Sequence, residues 1–447
     1  MIDYRRFYVP GSTWFFTVNL AERSDSRLLV ERIELRRLGI SAALPNKAGE
    51  IRRSVGHEEP CPTYIVSIAN HEKNDPMKPE QMAVAGVQGL TPYQPGKPIS
   101  ELERELGISN IVKLASNENP LGPSPKALAA ISALLGELHL YPDGGGFELK
   151  AALADHLQVG ADQITLGNGS NDVLDLVGRA FLRPGTTAVF SEHAFAVYPI
   201  VTQACGAESR VGKAHDGSEG PAYGHDLKAM GQLIDEHARV VFIANPNNPT
   251  GTYLQRGELR AFLESVPQHV IVVVDEAYFE YVDFPDYPDC LRWLRDFPNL
   301  IVSRTFSKAY GLAGLRVGYA VSSLALADLL NRVRQPFNVN TVGLDAATAA
   351  LGDRDHLVRT KALNDAGVHQ LSEALAARSL AYIPTAGNFI TVDLGRPAGP
   401  IYQALLREGV IVRPVANYGM PQHLRISIGT EAENQVFLAS LDRVLAS

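Results

Sequence analysis

Val270-Ile271-Val272-Val273-Val274-Asp275-Glu276-Ala277-Tyr278 decides the fold of this chain. Five consecutive β-branched residues end abruptly in two carboxylates. A short unbroken apolar run of this kind suits a strand covered on both faces, as in a parallel sheet. Residues 240–244 (Val-Val-Phe-Ile-Ala) and the run Leu300-Ile301-Val302-Ser303 repeat the pattern. Segments of helical period separate the strands. Leu149, Ala152, Leu153 and Leu157 recur on one face, and so do Val173, Leu174, Val177 and Phe181. A short strand, Gln163-Ile164-Thr165-Leu166, leads into the latter helix through Gly167-Asn168-Gly169-Ser170-Asn171. The expected fold is therefore α/β. Asn388-Phe389-Ile390-Thr391-Val392 and Leu424-Arg425-Ile426-Ser427-Ile428 predict strands of a smaller α+β domain near the C-terminus.

The composition bounds the function. The 447 residues suffice for two or three domains. Hydrophobic residues make up 45% and charged residues 20%, an ordinary globular mixture. A net charge of −8 argues against a broad basic face for nucleic acid. No apolar run approaches the ~20 residues that span a bilayer. Cys61, Cys205 and Cys290 are too few and too far apart for a disulfide framework or a metal site, so the expected compartment is the cytosol. The twelve histidines show no ligand spacing, and there is no Walker loop and no Gly-x-Ser-x-Gly elbow.

In an open α/β sheet, ligands collect outside the carboxyl ends of the strands. Asp275 lies at such an end, as a structural cap or as a partner for a ligand. Beside a pyridine nitrogen it would keep that nitrogen protonated. Glu276, by alternation, points to the other side. Lys308, in Ser303-Arg304-Thr305-Phe306-Ser307-Lys308, is framed by hydroxyls and followed by Arg316 in Gly314-Leu315-Arg316-Val317-Gly318. Its amine can form a Schiff base with an aldehyde cofactor while Thr305, Ser307 and Arg316 hold that cofactor's phosphate. Ser170 and Asn171 either cap their helix or present its N-terminus to the same phosphate. Asn248, in Asn245-Pro246-Asn247-Asn248-Pro249-Thr250-Gly251, is either a turn residue or, with Tyr278, a partner for a phenolic oxygen.

Taken together, Asn248, Asp275, Lys308 and Arg316, in this order and these contexts, resemble the aspartate-aminotransferase-like group of fold type I pyridoxal-phosphate enzymes. The resemblance covers roughly residues 90–445. It implies a large domain with a mostly parallel seven-stranded sheet and a small α+β domain. It also implies pyridoxal 5′-phosphate as cofactor, Lys308 as its covalent partner and proton carrier, Asp275 on the pyridine nitrogen, and Asn248 and Tyr278 on the phenolic oxygen. Ser170, Asn171, Thr305, Ser307 and Arg316 fall to the phosphate, and Phe195 to stacking on the ring. Leu90-Thr91-Pro92-Tyr93-Gln94-Pro95-Gly96-Lys97, the run Lys113-Leu114-Ala115-Ser116-Asn117-Glu118-Asn119-Pro120, Tyr141-Pro142-Asp143-Gly144 and Arg334-Gln335-Pro336-Phe337-Asn338 are similar to the histidinol-phosphate aminotransferases of histidine biosynthesis. That family implies transfer between L-histidinol phosphate and 2-oxoglutarate, substrate contacts from Arg425, Arg413 and Asn117, and a homodimer in which Tyr141 reaches the other subunit's phosphate. Leu140 stands where the family usually carries arginine. Taken singly, Arg413 and Arg425 would be surface charges with buried stems. The same motifs fit an aromatic amino acid aminotransferase, and the fold also accommodates a decarboxylase of phosphothreonine type.

The expected organisation is an atypical, poorly ordered extension over 1–85, an arm with part of the small domain over 86–135, the large domain over 136–340 and the small domain over 341–447. Tyr4-Arg5-Arg6-Phe7-Tyr8-Val9-Pro10-Gly11, continuing to Leu20 and with residues 28–37, resembles the N-terminal fragment of REP-associated (IS200-like) transposases. That family's histidine pair and catalytic tyrosine are not recognisable, so a DNA-binding function is the weaker reading. The expected origin of the segment is a fused remnant or an over-long translation, with Met77 and Met82 as alternative starts, and the competing reading is a genuine regulatory or DNA-binding extension.

Overall fold

The structure is a computed structural model that describes residues 4–8, 14–18 and 79–446. The chain divides into two compact units, Met1–Ala83 and Val84–Ser447. In the first unit, Tyr4–Tyr8 and Trp14–Val18 form an antiparallel pair, with Tyr4 opposite Val18 and Tyr8 opposite Trp14. A one-turn helix spans Pro79–Met82. The remainder of the expected extension, Met77 included, lies outside the described residues.

The second unit is built on a seven-stranded sheet. Its spatial order is Ile164–Gly167, Gly318–Ser322, Leu300–Thr305, Ile271–Asp275, Ala238–Ala244, Thr187–Ser191 and Glu208–Gly212. Only Gly318–Ser322 runs against its neighbours. The apolar runs are unbroken because both faces are covered. Val241, Ile243, Val272 and Val274 face one core, with helices Phe147–Leu157 and Arg256–Ser265. Val240, Phe242, Ile271 and Val273 face the other, with helices Ser170–Phe181, Val197–Ala204 and Leu324–Val333. The carboxyl ends Gly167, Ala244, Asp275 and Thr305 gather on one edge of the sheet.

The smaller domain is an antiparallel sheet ordered Tyr382–Ile383, Phe389–Asp393, His423–Ser427 and Arg413–Pro414, packed on helices Arg354–Ala377, Ala398–Arg407 and Glu431–Ala446. The N-terminal arm joins this domain where Val112–Lys113 pairs in parallel with Val410–Ile411. Two expected boundaries move. Helices Pro125–Leu134 and Thr341–Leu351 place Ala127, Leu344, Ala346, Ala347 and Ala350 in the first core of the large sheet. Small alanine faces let these helices approach closely. The large domain therefore begins before residue 136 and ends after 340, at the turn where Asp353 caps the next helix.

Candidate active site

One cavity opens at the carboxyl edge of the large sheet. Lys308, Asp275, Tyr278, Ser170, Asn171, Phe195, Asn248, Thr305, Ser307, Arg316, Arg413, Arg425 and Asn117 all line it, with Tyr93 and Ser116. Tyr141 does not: it is 83% exposed and stacks on Phe337 with ring centres 4.9 Å apart.

Lys308 follows the strand Leu300–Thr305, and its Nζ donates to the Ser116 carbonyl at 3.2 Å. Burial pushes its amine down to about 8; Arg425 and Arg316 push the same way, while Glu118 and Asp275 oppose. Asp275 ends its strand almost completely buried. Burial lifts its carboxyl to about 6, against a hydrogen bond from the Tyr198 hydroxyl to Oδ2 at 3.1 Å. Its Oδ1 has no hydrogen-bond partner among the described residues. Glu276 does point the other way, into a buried ion pair with Arg304 at 2.7 Å.

The Tyr278 phenol, pushed up to about 12 by burial, accepts from Asn117 Nδ2 at 2.9 Å. Asn117 in turn is held by Ser427, through its backbone N–H at 2.7 Å and its Oδ1 at 3.0 Å. Arg425 Nη1 donates to Asn248 Oδ1, and Nη2 donates to the Ala115 carbonyl at 2.6 Å. Burial lowers the pKa of this guanidinium, and its Nε has no partner among the described residues. Arg413 donates to the Gln94 carbonyl.

The opposite end of the cavity is a cradle. Helix Ser170–Phe181 starts at Gly169, and no side chain caps it. Of the two sequence readings of Ser170 and Asn171, capping is therefore excluded, because neither side chain fills the N-cap role. Arg316, itself at φ 58°, donates to Ser307 Oγ at 3.3 Å. A Cβ on Gly169 would stand 2.4 Å from Arg316 Nη2, and one on Gly318 would stand 2.4 Å from the Ser170 nitrogen. Glycine at both places keeps the cradle open. Uncapped helix N–H groups, the hydroxyls of Ser170, Thr305 and Ser307 and a guanidinium form a donor set suited to a phosphate. With Lys308, Arg413 and Arg425 also facing in, the cavity is cationic although the chain is acidic.

The aminotransferase class I and II family profile matches residues 109–441. Histidinol-phosphate aminotransferase 2 of Methylococcus capsulatus is 66% identical over 364 residues, which span 81% of this chain and 98% of that protein. Its counterpart in Pseudomonas aeruginosa is 64% identical, over 82% of this chain and 98% of its own. The chain belongs to the class I and II aminotransferases, and within them to the histidinol-phosphate aminotransferases. The crystal structure of histidinol-phosphate aminotransferase from Sinorhizobium meliloti in complex with pyridoxal-5′-phosphate superposes on this aminotransferase with a TM-score of 0.74. It is 30% identical and covers 81% of this chain and 97% of that one. An aspartate aminotransferase from Thermus thermophilus with maleate, 19% identical, shares the fold at a TM-score of 0.70 over 80% of this chain and 98% of its own.

Sequence reasoning overlooked Tyr198 in this aminotransferase. The residue lies in the helix Val197–Ala204 between apolar neighbours, where any aromatic passes for core. Its spacing of three from Phe195, one helical turn onward, was the available signal.

Proposed function

We propose that this chain moves an amino group between L-histidinol phosphate and 2-oxoglutarate, with pyridoxal 5′-phosphate as the bound carrier. The observation that carries the reading is the convergence of Lys308, Asp275, Tyr278, Asn248, Arg316 and Arg425 on one cavity. The relatives' shared name supports the choice of substrate. The residues fit the cofactor on structural grounds: an unpartnered buried carboxylate oxygen at one end and an open phosphate cradle at the other.

Pyridoxal phosphate, when bound, supplies an aldehyde that takes up the amino nitrogen and a ring that spreads carbanion charge. The chain supplies the rest. Asp275 Oδ1 would accept from the ring nitrogen and hold its proton in place. Tyr278 and Asn248 would address the phenolic oxygen, and Phe195 would cover the ring. The cradle of Ser170, Asn171, Thr305, Ser307 and Arg316 would anchor the phosphate through charge-assisted hydrogen bonds. With its pKa near 8, Lys308 Nζ is in large part neutral at mildly alkaline pH, so it can lift the proton from the substrate α-carbon and return it. Arg425 and Arg413, with Asn117, bind the substrate's anionic groups.

The enzyme works as a homodimer. Tyr141 is exposed, as are the apolar Leu138, Leu140 and Phe147 in the same stretch of chain, and serves the partner's phosphate. It acts on small molecules in the cytosol, where Cys205 and Cys290 remain free thiols.

A single-turnover titration of the loaded enzyme tests the reading by following the cofactor's visible band. Histidinol phosphate should bleach it at low concentration, with phenylalanine needing far more. Bleaching by phenylalanine alone would reassign the enzyme to aromatic substrates, and carbon dioxide release would reassign it to decarboxylation.

A further inference from the structure

We propose that Tyr198 is a positioning residue: its hydroxyl commits Oδ2 of Asp275 and so reserves Oδ1 for the cofactor's ring nitrogen. The inference rests on the reading of the site as a pyridoxal-phosphate site.

Asp275 has to present one lone pair at a fixed place, and a carboxylate at a strand end is free to turn about its side-chain bonds. Tyr198 removes that freedom. Its ring is fully buried, stacked on Phe242 at 4.8 Å and 6° and set edge-on to Phe195 at 5.9 Å and 88°. Held by both rings, the phenol has little room to swing away. Burial raises its pKa well above 10, so the hydroxyl keeps its proton at every working pH. Facing a carboxylate, that proton can only be donated, and the acceptor is Oδ2. Oδ1, in the same buried setting, has no partner. A buried acceptor left open costs free energy unless something fills it. Phe195 lines the cavity and touches the Tyr198 ring, so the residue expected to stack on the cofactor also props the one that aims Asp275.

The hydrogen bond also favours the charged form of Asp275, with a smaller contribution from the Ala277 amide. Without the Tyr198 proton, burial acts with less opposition, and the carboxyl stays neutral to higher pH. A neutral carboxyl cannot hold a protonated ring nitrogen. Tyr198 therefore acts on both the direction and the charge of the group.

The test is the affinity of the cofactor-free protein for pyridoxal phosphate as a function of pH, for Tyr198→Phe, Asp275→Asn and the double variant. Tyr198→Phe keeps the ring and loses only the donor. Its dissociation constant should rise roughly tenfold near neutrality, as expected for a hydrogen bond to a charged group. The acidic limb of binding should move upward by about one pH unit. In steady state, kcat should fall while KM for histidinol phosphate changes less than about twofold. In the Asp275→Asn background, Tyr198→Phe should add almost nothing. Replacing tyrosine by 3-fluorotyrosine, a stronger donor, should move the acidic limb the other way without threatening the fold. Equal losses in both backgrounds, or an unmoved limb in both tyrosine replacements, would overturn the proposal. If the unsubstituted protein fails to bind pyridoxal phosphate at all, the reading of the site fails instead.

Discussion

Lys308 and Asp275 share one cavity, and burial drives both toward neutrality from opposite sides. The Asp275 carboxyl, raised to about 6, binds a proton more readily in the folded chain than in the unfolded one. Its contribution to stability is therefore complete below about pH 4 and lost as pH rises through 6. The Lys308 amine, lowered from 10.5 to about 8, behaves conversely: its contribution is present above 10.5 and lost as pH falls through 8. The cofactor-free protein should thus be least stable between about pH 6 and 8, where both charges are buried together. A melting-temperature profile would show the acid side of this trough, on the order of 3 kcal/mol deep, and Asp275→Asn should flatten it. Parallel profiles for the two proteins would show that Asp275 is solvated after all.

At the level of elements, the cradle depends on the contrary strand. Gly318 opens the only antiparallel strand of the large sheet and pairs with Gly167 on one side and Thr305 on the other. It thereby sets the glycine loop beside the segment that carries Ser307 and Lys308. Gly169, at φ 81°, lies where a side chain would strike Arg316. Gly169→Ala should lower pyridoxal-phosphate affinity by about tenfold or more, as expected when an arginine–phosphate contact is displaced. The melting point of the cofactor-free protein should fall as well, because alanine is strained at this φ, so affinity is compared at a temperature where both proteins are folded. Equal affinity with a lowered melting point would move the glycine's role from binding to folding. The central strands were legible because two-sided burial leaves no polar residue in Ile271–Val274 or Leu300–Val302, and the site residues were legible through their local motifs. The strand Gly318–Ser322 was not, since five residues beginning with glycine carry no period. Nor was the true end of the large domain: Thr341–Leu351 is as apolar as a small-domain helix would be, and only tertiary contact assigns it. The Asn117–Ser427 contact, which joins residues 310 apart in sequence, depends on folding that spacing does not encode.

For the molecule as a whole, the decisive prediction concerns completeness of the site. Tyr141 does not line its own cavity, and in the proposed dimer it completes the other one. Lys308→Ala and Tyr141→Ala proteins, each impaired alone, should recover activity when unfolded together and refolded. Random pairing makes half the dimers mixed, and each mixed dimer has one intact site, so about a quarter of the parental activity should return. No recovery would mean that each protomer is self-sufficient. A last consequence comes from Asn117, which grips Tyr278 on the large domain and Ser427 on the small one. The phenol proposed to tune the cofactor's phenolic oxygen is thus tethered to the sheet that carries Arg425. Any shift of that sheet would reach the chromophore, so the colour of the enzyme would serve as a built-in gauge of its own domain posture.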